Sequence, residues 1–440
     1  MLEDKNIIWH PFVQEKKESL SIFIKKGNGS YIYDNNNNAY LDLISSWWVN
    51  LHGHSHPKIS EAIYKQSLIL EHVIFSGFTH EPAIKLCKRL SEISSFSSFS
   101  KFFFSDNGST AIEVSIKMAY QYWRNIGDYN RTLFLGFDGG YHGDTLGAMS
   151  VGVTSKFHDS FKDLCFSVFS IPFPYTYFGD LNVELKENNS IKILKNFLEF
   201  NHLKIVALIV EPLVQGASGM RMCRSVFIEK VVNLVRQYGI LVIFDEVMTG
   251  FGRTGTYFAF EQTRIVPDFL CLSKGLTGGF LPLALTITTS MIYESFLDTS
   301  TKKLKTFYHG HSYTANPLGC AAAIASLELL FELNTMNSIK NISTLHIKML
   351  NRLLEEHSDI ISCVRSVGTI SAFNINLNDD IMIKLKKIFL CYGLLLRPLN
   401  NVIYLMPPYS ITSEELLLAY NKIEEIIVKV KNKKFIGICF

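Results

Sequence analysis

Between about residues 100 and 290 the sequence alternates short apolar runs with longer segments of helical period. The runs at 102 to 104, 132 to 137, 205 to 210, 241 to 244 and 269 to 272 have strand length and few polar breaks, the pattern of strands buried on both faces. Helical spacing starts at Ser109 and again near 226 to 238. Strand and helix in turn predict a mainly parallel sheet covered by helices. Two more helices, at 317 to 333 and 338 to 356, lead to short strands at about 362 to 377 and 402 to 406 and helices around 379 to 392 and 412 to 432. That is a smaller α+β unit. Near the start, 30 to 42 reads as a hairpin turning through Asp34 and four asparagines, a residue type that tolerates left-handed backbone. An irregular aromatic stretch, 45 to 57, then precedes a helix from about 58 to 71.

Two of the apolar runs stop at an ionisable group. The run from 240 ends at Asp245 and Glu246, and the run from 269 ends at Lys274 and a glycine. In an open α/β sheet the carboxyl ends of neighbouring parallel strands line the ligand crevice, so Asp245 and Lys274 would face one small molecule from two sides. A lysine for an aldehyde and a carboxylate for a ring nitrogen are what pyridoxal phosphate requires. Glu246 would point the opposite way along its strand, which argues against paired-acid chemistry. A third strand end, 102 to 113, passes through a polar turn into a helix whose Thr110 and Glu113 have capping-box spacing. Gly108, Ser109 and Thr110 are candidates there for a phosphate cradle, against the simpler reading of a polar helix cap. Tyr141, in a loop of glycines after the run to 137, is placed to stack on a ring, or is a loop tyrosine with no ligand.

Composition narrows the function classes. The 440 residues are 48% hydrophobic with a net charge of +3, and no basic stripe of the kind nucleic-acid binders carry is present. Small molecules, not nucleic acid, are the expected partners. Residues 1 to 10 have neither a basic leader nor an apolar core, and the apolar stretches near 205 to 210 and 280 to 293 are too short or too broken to cross a bilayer. A cytoplasmic protein without membrane attachment is expected. The eight cysteines are scattered with no Cys-x-x-Cys pair and read as reduced core residues. His52, His54 and His56 alternate, but the loop character of their segment and the lack of an acidic partner argue against a metal. Gly275, Gly278 and Gly279 have the wrong spacing for a nucleotide loop.

The chain resembles the class III, pyridoxal-phosphate-dependent aminotransferases of fold type I across nearly its full length. The carriers are Glu-Pro-Leu-Val-Gln-Gly-Ala-Ser-Gly-Met (211 to 220), Phe-Asp-Glu-Val-Met-Thr-Gly-Phe-Gly-Arg-Thr-Gly (244 to 255), Pro-Asp-Phe-Leu-Cys-Leu-Ser-Lys-Gly-Leu-Thr-Gly-Gly (267 to 279) and His-Gly-His-Ser-Tyr-Thr-Ala-Asn-Pro-Leu (309 to 318). Trp-His-Pro-Phe (9 to 12), Ser-Ser-Trp-Trp (45 to 48) and Leu-Met-Pro-Pro-Tyr (405 to 409) resemble the branch that aminates 8-amino-7-oxononanoate in biotin synthesis.

The resemblance implies an α/β fold with a large domain, 58 to 328, built on a mainly parallel seven-stranded sheet. A smaller α+β domain, 329 to 440, would be joined by the N-terminal segment, 1 to 57. Lys274 would carry the cofactor and shuttle a proton, and Asp245 would keep the pyridine nitrogen protonated. Gly108 and Ser109 would grip the phosphate, helped by His311 and Ser312 from the second subunit of a homodimer with shared active sites. Tyr141 would stack on the ring, and Phe12, Trp47, Gly310 and Arg397 would shape the substrate pocket. Two positions depart from the pattern of members using S-adenosyl-L-methionine as donor. Phe12 replaces a tyrosine, and His311-Ser312 replaces Pro-Thr. Serine keeps the hydroxyl. Phe12 leaves L-lysine open as the alternative donor, another ω-amino substrate stays open within the class, and the presence of both Lys274 and Asp245 argues against a non-catalytic relative.

Overall fold

The computed structural model describes residues 7–14, 22–152, 156–298 and 304–432. Its first strands are β1 (Ile24–Asn28), β2 (Tyr31–Asp34) and β3 (Ala39–Asp42). β2 and β3 form the expected hairpin, with Asn37 at φ 63° and Asp34 accepting the backbone N–H groups of Asn36 and Asn38. The central sheet takes β4 (Phe99–Ser105), β5 (Leu133–Phe137), β6 (Val168–Ile171) and β7 (Ile205–Val210). A two-stranded ribbon, β8 (Val214–Gln215) with β9 (Arg221–Met222), follows. β10 (Leu241–Asp245), β11 (Phe269–Leu272) and β12 (Ala284–Thr289) complete the sheet, whose order is β4-β12-β11-β10-β7-β5-β6. Every residue of β7, β10 and β11 is buried. Helices cover both faces, so these strands read as unbroken apolar runs, each large side chain contributing about 1.5–3 kcal/mol on burial.

Three strands of the sheet lack that signature, among them the edge strand β4, whose Ser100 and Lys101 are exposed. β6 is a short edge strand with mostly half-buried residues. β12 runs antiparallel between β11 and β4, and its threonines look like polar breaks in an apolar stretch. They are satisfied inside: the hydroxyl of Thr286 donates to the Ala111 carbonyl and that of Thr288 to the Asp268 carbonyl, both at 2.8 Å. The helix Gly108–Asn125 also starts differently from expectation. Its capping box pairs Asn107 with Thr110, not Thr110 with Glu113. The box lies three residues earlier than that spacing, although the helix itself starts only one residue before Ser109, and the Glu113 carboxylate, outside the box, accepts the N–H groups of Gly147 (2.6 Å) and Ala148 (3.1 Å) at the start of helix Leu146–Val151.

The remaining strands are β13 (Ile361–Val367), β14 (Ile370–Ile375), β15 (Leu394–Leu395) and β16 (Val402–Leu405). β13, β14 and β16 form an antiparallel sheet contacted by helix Leu333–His357, which packs on helix Ser413–Lys431. β15 instead adds in parallel to β3, so N-terminal and C-terminal parts of the chain share a sheet. The helix after the aromatic stretch is Pro57–Ser67, shorter than expected. Before it, Ser45–Trp48 winds left-handed, with positive φ at each of the four residues. No single helix among the described residues is long and apolar enough to cross a membrane. Contrary to what their spacing suggests, the cysteines are not all reduced. Cys87, Cys165, Cys223, Cys271, Cys320 and Cys363 are free, but Cys391 is disulfide-bonded. Sequence spacing does not register a pairing made by the fold.

Candidate active site

The carboxyl ends of the parallel strands open on one cavity of about 680 Å³, lined by Asp245, Lys274, Gly108, Ser109, Tyr141 and Trp48 among others. Asp245 ends β10, and Lys274 follows β11 after Ser273, whose hydroxyl donates to the Leu283 carbonyl at 2.9 Å. The strand-end reading therefore brings these two residues together as expected. Asp245 is 5% exposed. Its Oδ2 lies 2.7 Å from Nδ1 of His142, and its Oδ1 accepts the Val247 N–H at 3.0 Å. Burial opposes a charge on His142, but the hydrogen bond to Asp245 and the acidic charges of Asp245 and Glu211 outweigh it and raise the imidazole pKa. Glu246 points away, accepting the N–H groups of Ala259 and Phe260 at 2.7 Å each.

Lys274 has a left-handed backbone, φ 43°, and its Nζ stands 4.5 Å from the centroid of the Trp48 ring. Burial of the amine brings its pKa down to about 8, against the opposing pull of Asp245 and Glu211. Glu211, the residue after β7, accepts the N–H groups of Tyr141 and Gly216, each at 3.0 Å. Burial pushes its carboxyl up to about 7, and the Asp245 charge adds to the shift. Glu211 and His142 are site residues that the sequence expectations do not include. Glu211 stands after an apolar run just as Asp245 ends one, so the same strand-end rule reaches it.

Tyr141 lines the cavity with its hydroxyl donating to Asp144 Oδ2 at 3.0 Å, and its ring stacks on His158 at 5.6 Å between centroids. Burial and the Asp144 carboxylate raise its phenol pKa. At Gly108 a Cβ would come within 2.5 Å of Val247 Cγ1. Only glycine fits, and the helix start presents bare backbone to the cavity. Ser109 is tied to the neighbouring loop, its Oγ 2.7 Å from the Thr145 hydroxyl and accepting the Thr145 N–H at 3.0 Å.

A second group of aromatic and basic residues adjoins Trp48. The Arg397 guanidinium lies 4.3 Å from the Trp47 ring centroid, and Phe12 meets the same ring edge-on at 5.3 Å. Trp48 donates its indole N–H to the Tyr404 hydroxyl at 3.2 Å. The buried guanidinium of Arg253 donates to the carbonyls of Pro407 (2.8 Å) and Asn50 (3.0 Å), joining the turn after β10 to both chain ends. His52 and His54 have different partners, Ser326 Oγ at 3.0 Å and Asp42 Oδ2 at 2.9 Å, so His54 does have an acidic partner, brought to it by β3 and not by its own segment.

Gly310, His311 and Ser312 do not line the cavity of their own chain. Their segment is fixed by His72 to the Ser312 carbonyl, His80 to the Ala315 carbonyl and Asn316 to the Glu71 carbonyl. A Cβ on Gly310 would meet only Thr314 Oγ1 at 3.9 Å, and His311 Nε2 has no hydrogen-bond partner among the described residues.

Residues 12–427 match the family model of class-III aminotransferases. An adenosylmethionine-8-amino-7-oxononanoate aminotransferase of Synechococcus elongatus is 47% identical over 96% of this chain and 99% of its own length. The crystal structure of the protein of that name from Methanocaldococcus jannaschii superposes with a TM-score of 0.87 at 37% identity, covering 96% of this chain and 98% of the other. An amine transaminase from an uncultivated Pseudomonas species, in its PLP-bound form, superposes with a TM-score of 0.88 at 28% identity over 96% and 98% of the two chains.

Proposed function

The chain belongs to the class-III aminotransferases, and from that membership we propose that it transfers an amino group to 8-amino-7-oxononanoate, giving 7,8-diaminononanoate in biotin synthesis. S-adenosyl-L-methionine is the proposed donor and pyridoxal 5'-phosphate the cofactor. The observation that carries this reading is that one cavity joins Lys274, Asp245 and the Gly108 helix start to Trp48, whose neighbour Trp47 lies under Arg397.

The residues fit that cofactor. A bare helix start and the Ser109 hydroxyl suit its phosphate, Asp245 backed by His142 suits its ring nitrogen, and the Lys274 amine suits its aldehyde. When bound, pyridoxal phosphate supplies an electron sink for the bond broken at the substrate carbon. The chain's own groups do the rest. Asp245 holds a proton on the ring nitrogen. Lys274 Nζ, with its lowered pKa, takes the proton from the donor carbon and returns one to the acceptor carbon. Tyr141 would cover a face of the cofactor ring, its hydroxyl kept protonated beside Asp144. Arg397 pairs with the far carboxylate of the acceptor, and the Trp47 and Phe12 rings line its apolar length. Donor and acceptor use the site in turn, a ping-pong scheme.

The absence of Gly310, His311 and Ser312 from the lining of their own chain's cavity supports a homodimer with shared active sites, in which these residues complete the partner's cavity. Parts of function follow the chain as 1–57, 58–328 and 329–440, a division supported by the sheet that β3 shares with β15. We place the enzyme in the cytoplasm. Phe12 favours a second reading of the donor: without a hydroxyl against Trp47, L-lysine is the alternative. A panel of S-adenosyl-L-methionine, L-lysine, ornithine and glutamate, read by loss of the cofactor's visible band and by diamine formation, tests both. Rapid bleaching by S-adenosyl-L-methionine is expected. Bleaching by ornithine or glutamate alone, with no amination of the keto acid, overturns the assignment.

A further inference from the structure

The turn Ser45–Trp48 has φ values of 49°, 45°, 75° and 75° at four successive residues that all carry side chains. Left-handed backbone is disfavoured at each of them and persists only where the surroundings over-determine it. One side chain ties that backbone at several points. Asp42 is fully buried, and its Oδ1 accepts the N–H groups of Ile44 (3.3 Å) and Ser46 (3.0 Å). Its Oδ2 accepts the Ser46 hydroxyl (2.7 Å) and lies 2.9 Å from His54 Nε2. His54 is itself anchored by paired backbone hydrogen bonds with Gly29, and the Ser45 hydroxyl pins the turn's other side to the Met406 carbonyl at 2.8 Å. The turn delivers two adjacent rings in two directions, Trp48 to Lys274 and Trp47 to Arg397.

We propose that Asp42, braced by His54, is a positioning residue for transamination: it holds the left-handed turn and so sets Trp48 against the lysine amine and Trp47 against the arginine. Among the described residues no hydrogen bond joins Asp42 to either ring, and it acts through the backbone that carries them. Its influence on the acceptor rests on the function proposed above, while its influence on the rings does not.

The test uses the holoenzyme with Asp42→Asn, Ser46→Gly and the double variant. Asp42→Asn is expected to lower kcat/KM for the keto acid by about tenfold or more, chiefly through KM, because misplacement of order 1 Å at a binding wall has effects of this size. The near-UV tryptophan circular dichroism should change while the far-UV spectrum does not. Adding Ser46→Gly should recover several-fold of the loss, since glycine takes the left-handed conformation without steric penalty. A double variant no better than Asp42→Asn, or an Asp42→Asn enzyme with wild-type kinetics and spectrum, overturns the proposal. Should Asp42→Asn not fold, Ser46→Ala and Ser46→Gly decide. Both lack the hydroxyl but only alanine resists the turn, so alanine should be the poorer enzyme and equality overturns the idea. A wild type inactive toward the keto acid would instead sink the function reading, and the tryptophan spectra alone would then decide this one.

Discussion

The two walls of the cavity are made in opposite ways. Asp245, Lys274 and Glu211 stand at the ends of adjacent parallel strands whose residues are buried throughout, so hydrogen-bonded register fixes where each group emerges. Trp47, Trp48, Arg397 and Phe12 come from distant parts of the chain and meet through a left-handed turn and ring contacts. One wall inherits its geometry from regular secondary structure. The other depends on side chains that hold a disfavoured backbone. The first should therefore carry chemistry and tolerate little change, and the second should carry recognition and be tunable.

The sharpest break of that contrast is Lys274→Ala. Loss of turnover by at least roughly 10³-fold is expected, because no other amine replaces it as proton carrier. Intact mass after borohydride treatment should show no attached cofactor, and retained attachment would place the amine elsewhere. On the other wall, Arg397→Ala should raise KM for the acceptor by about 10–100-fold, the loss of a charge-assisted pair, while kcat changes far less. A variant that loses kcat and spares KM would erase the division of labour. The smallest expected effect is a shift along the pH axis. An amine attacks an aldehyde only when unprotonated, so with the Lys274 pKa near 8 the apoenzyme should capture pyridoxal phosphate with a rate that rises through pH 8 and then levels. An ordinary lysine would still be rising toward 10.5. Because the Asp245 charge helps hold the proton on the amine, Asp245→Asn should move the midpoint lower, and a midpoint that moves upward would contradict the electrostatic account.

The same division decides what the sequence made legible. β7 and β11 carry the boundaries expected from their apolar runs, and Asp245 and Lys274 emerge where those runs predict. Glu211 was equally available to that rule. β12 has no legible apolar signature because its buried threonines hide it, and the helix cap lies elsewhere than expected because Thr110 serves as the last residue of the box and not its first. In the hairpin, left-handed backbone was visible because asparagine advertises it. At Ser45–Trp48 no residue type does so, and only the arrangement around Asp42 reveals why the chain turns that way. The meeting of Arg397 with Trp47 spans most of the chain and has no local sign at all. Family resemblance named both, but not their contact.

The reversed strand β12 has one more consequence. Because it runs antiparallel to both neighbours, β4 and β11 point the same way, and their ends sit two strand spacings apart, about 9.5 Å. The separation between the proposed anion end and the amine end of the cavity is thus counted in rungs of a ladder. Evolution can refit the groups on each rung by ordinary substitution, but it cannot stretch the span by half a rung. That makes the bound molecule's length the least negotiable property of the enzyme, whatever donor or acceptor its other wall comes to favour.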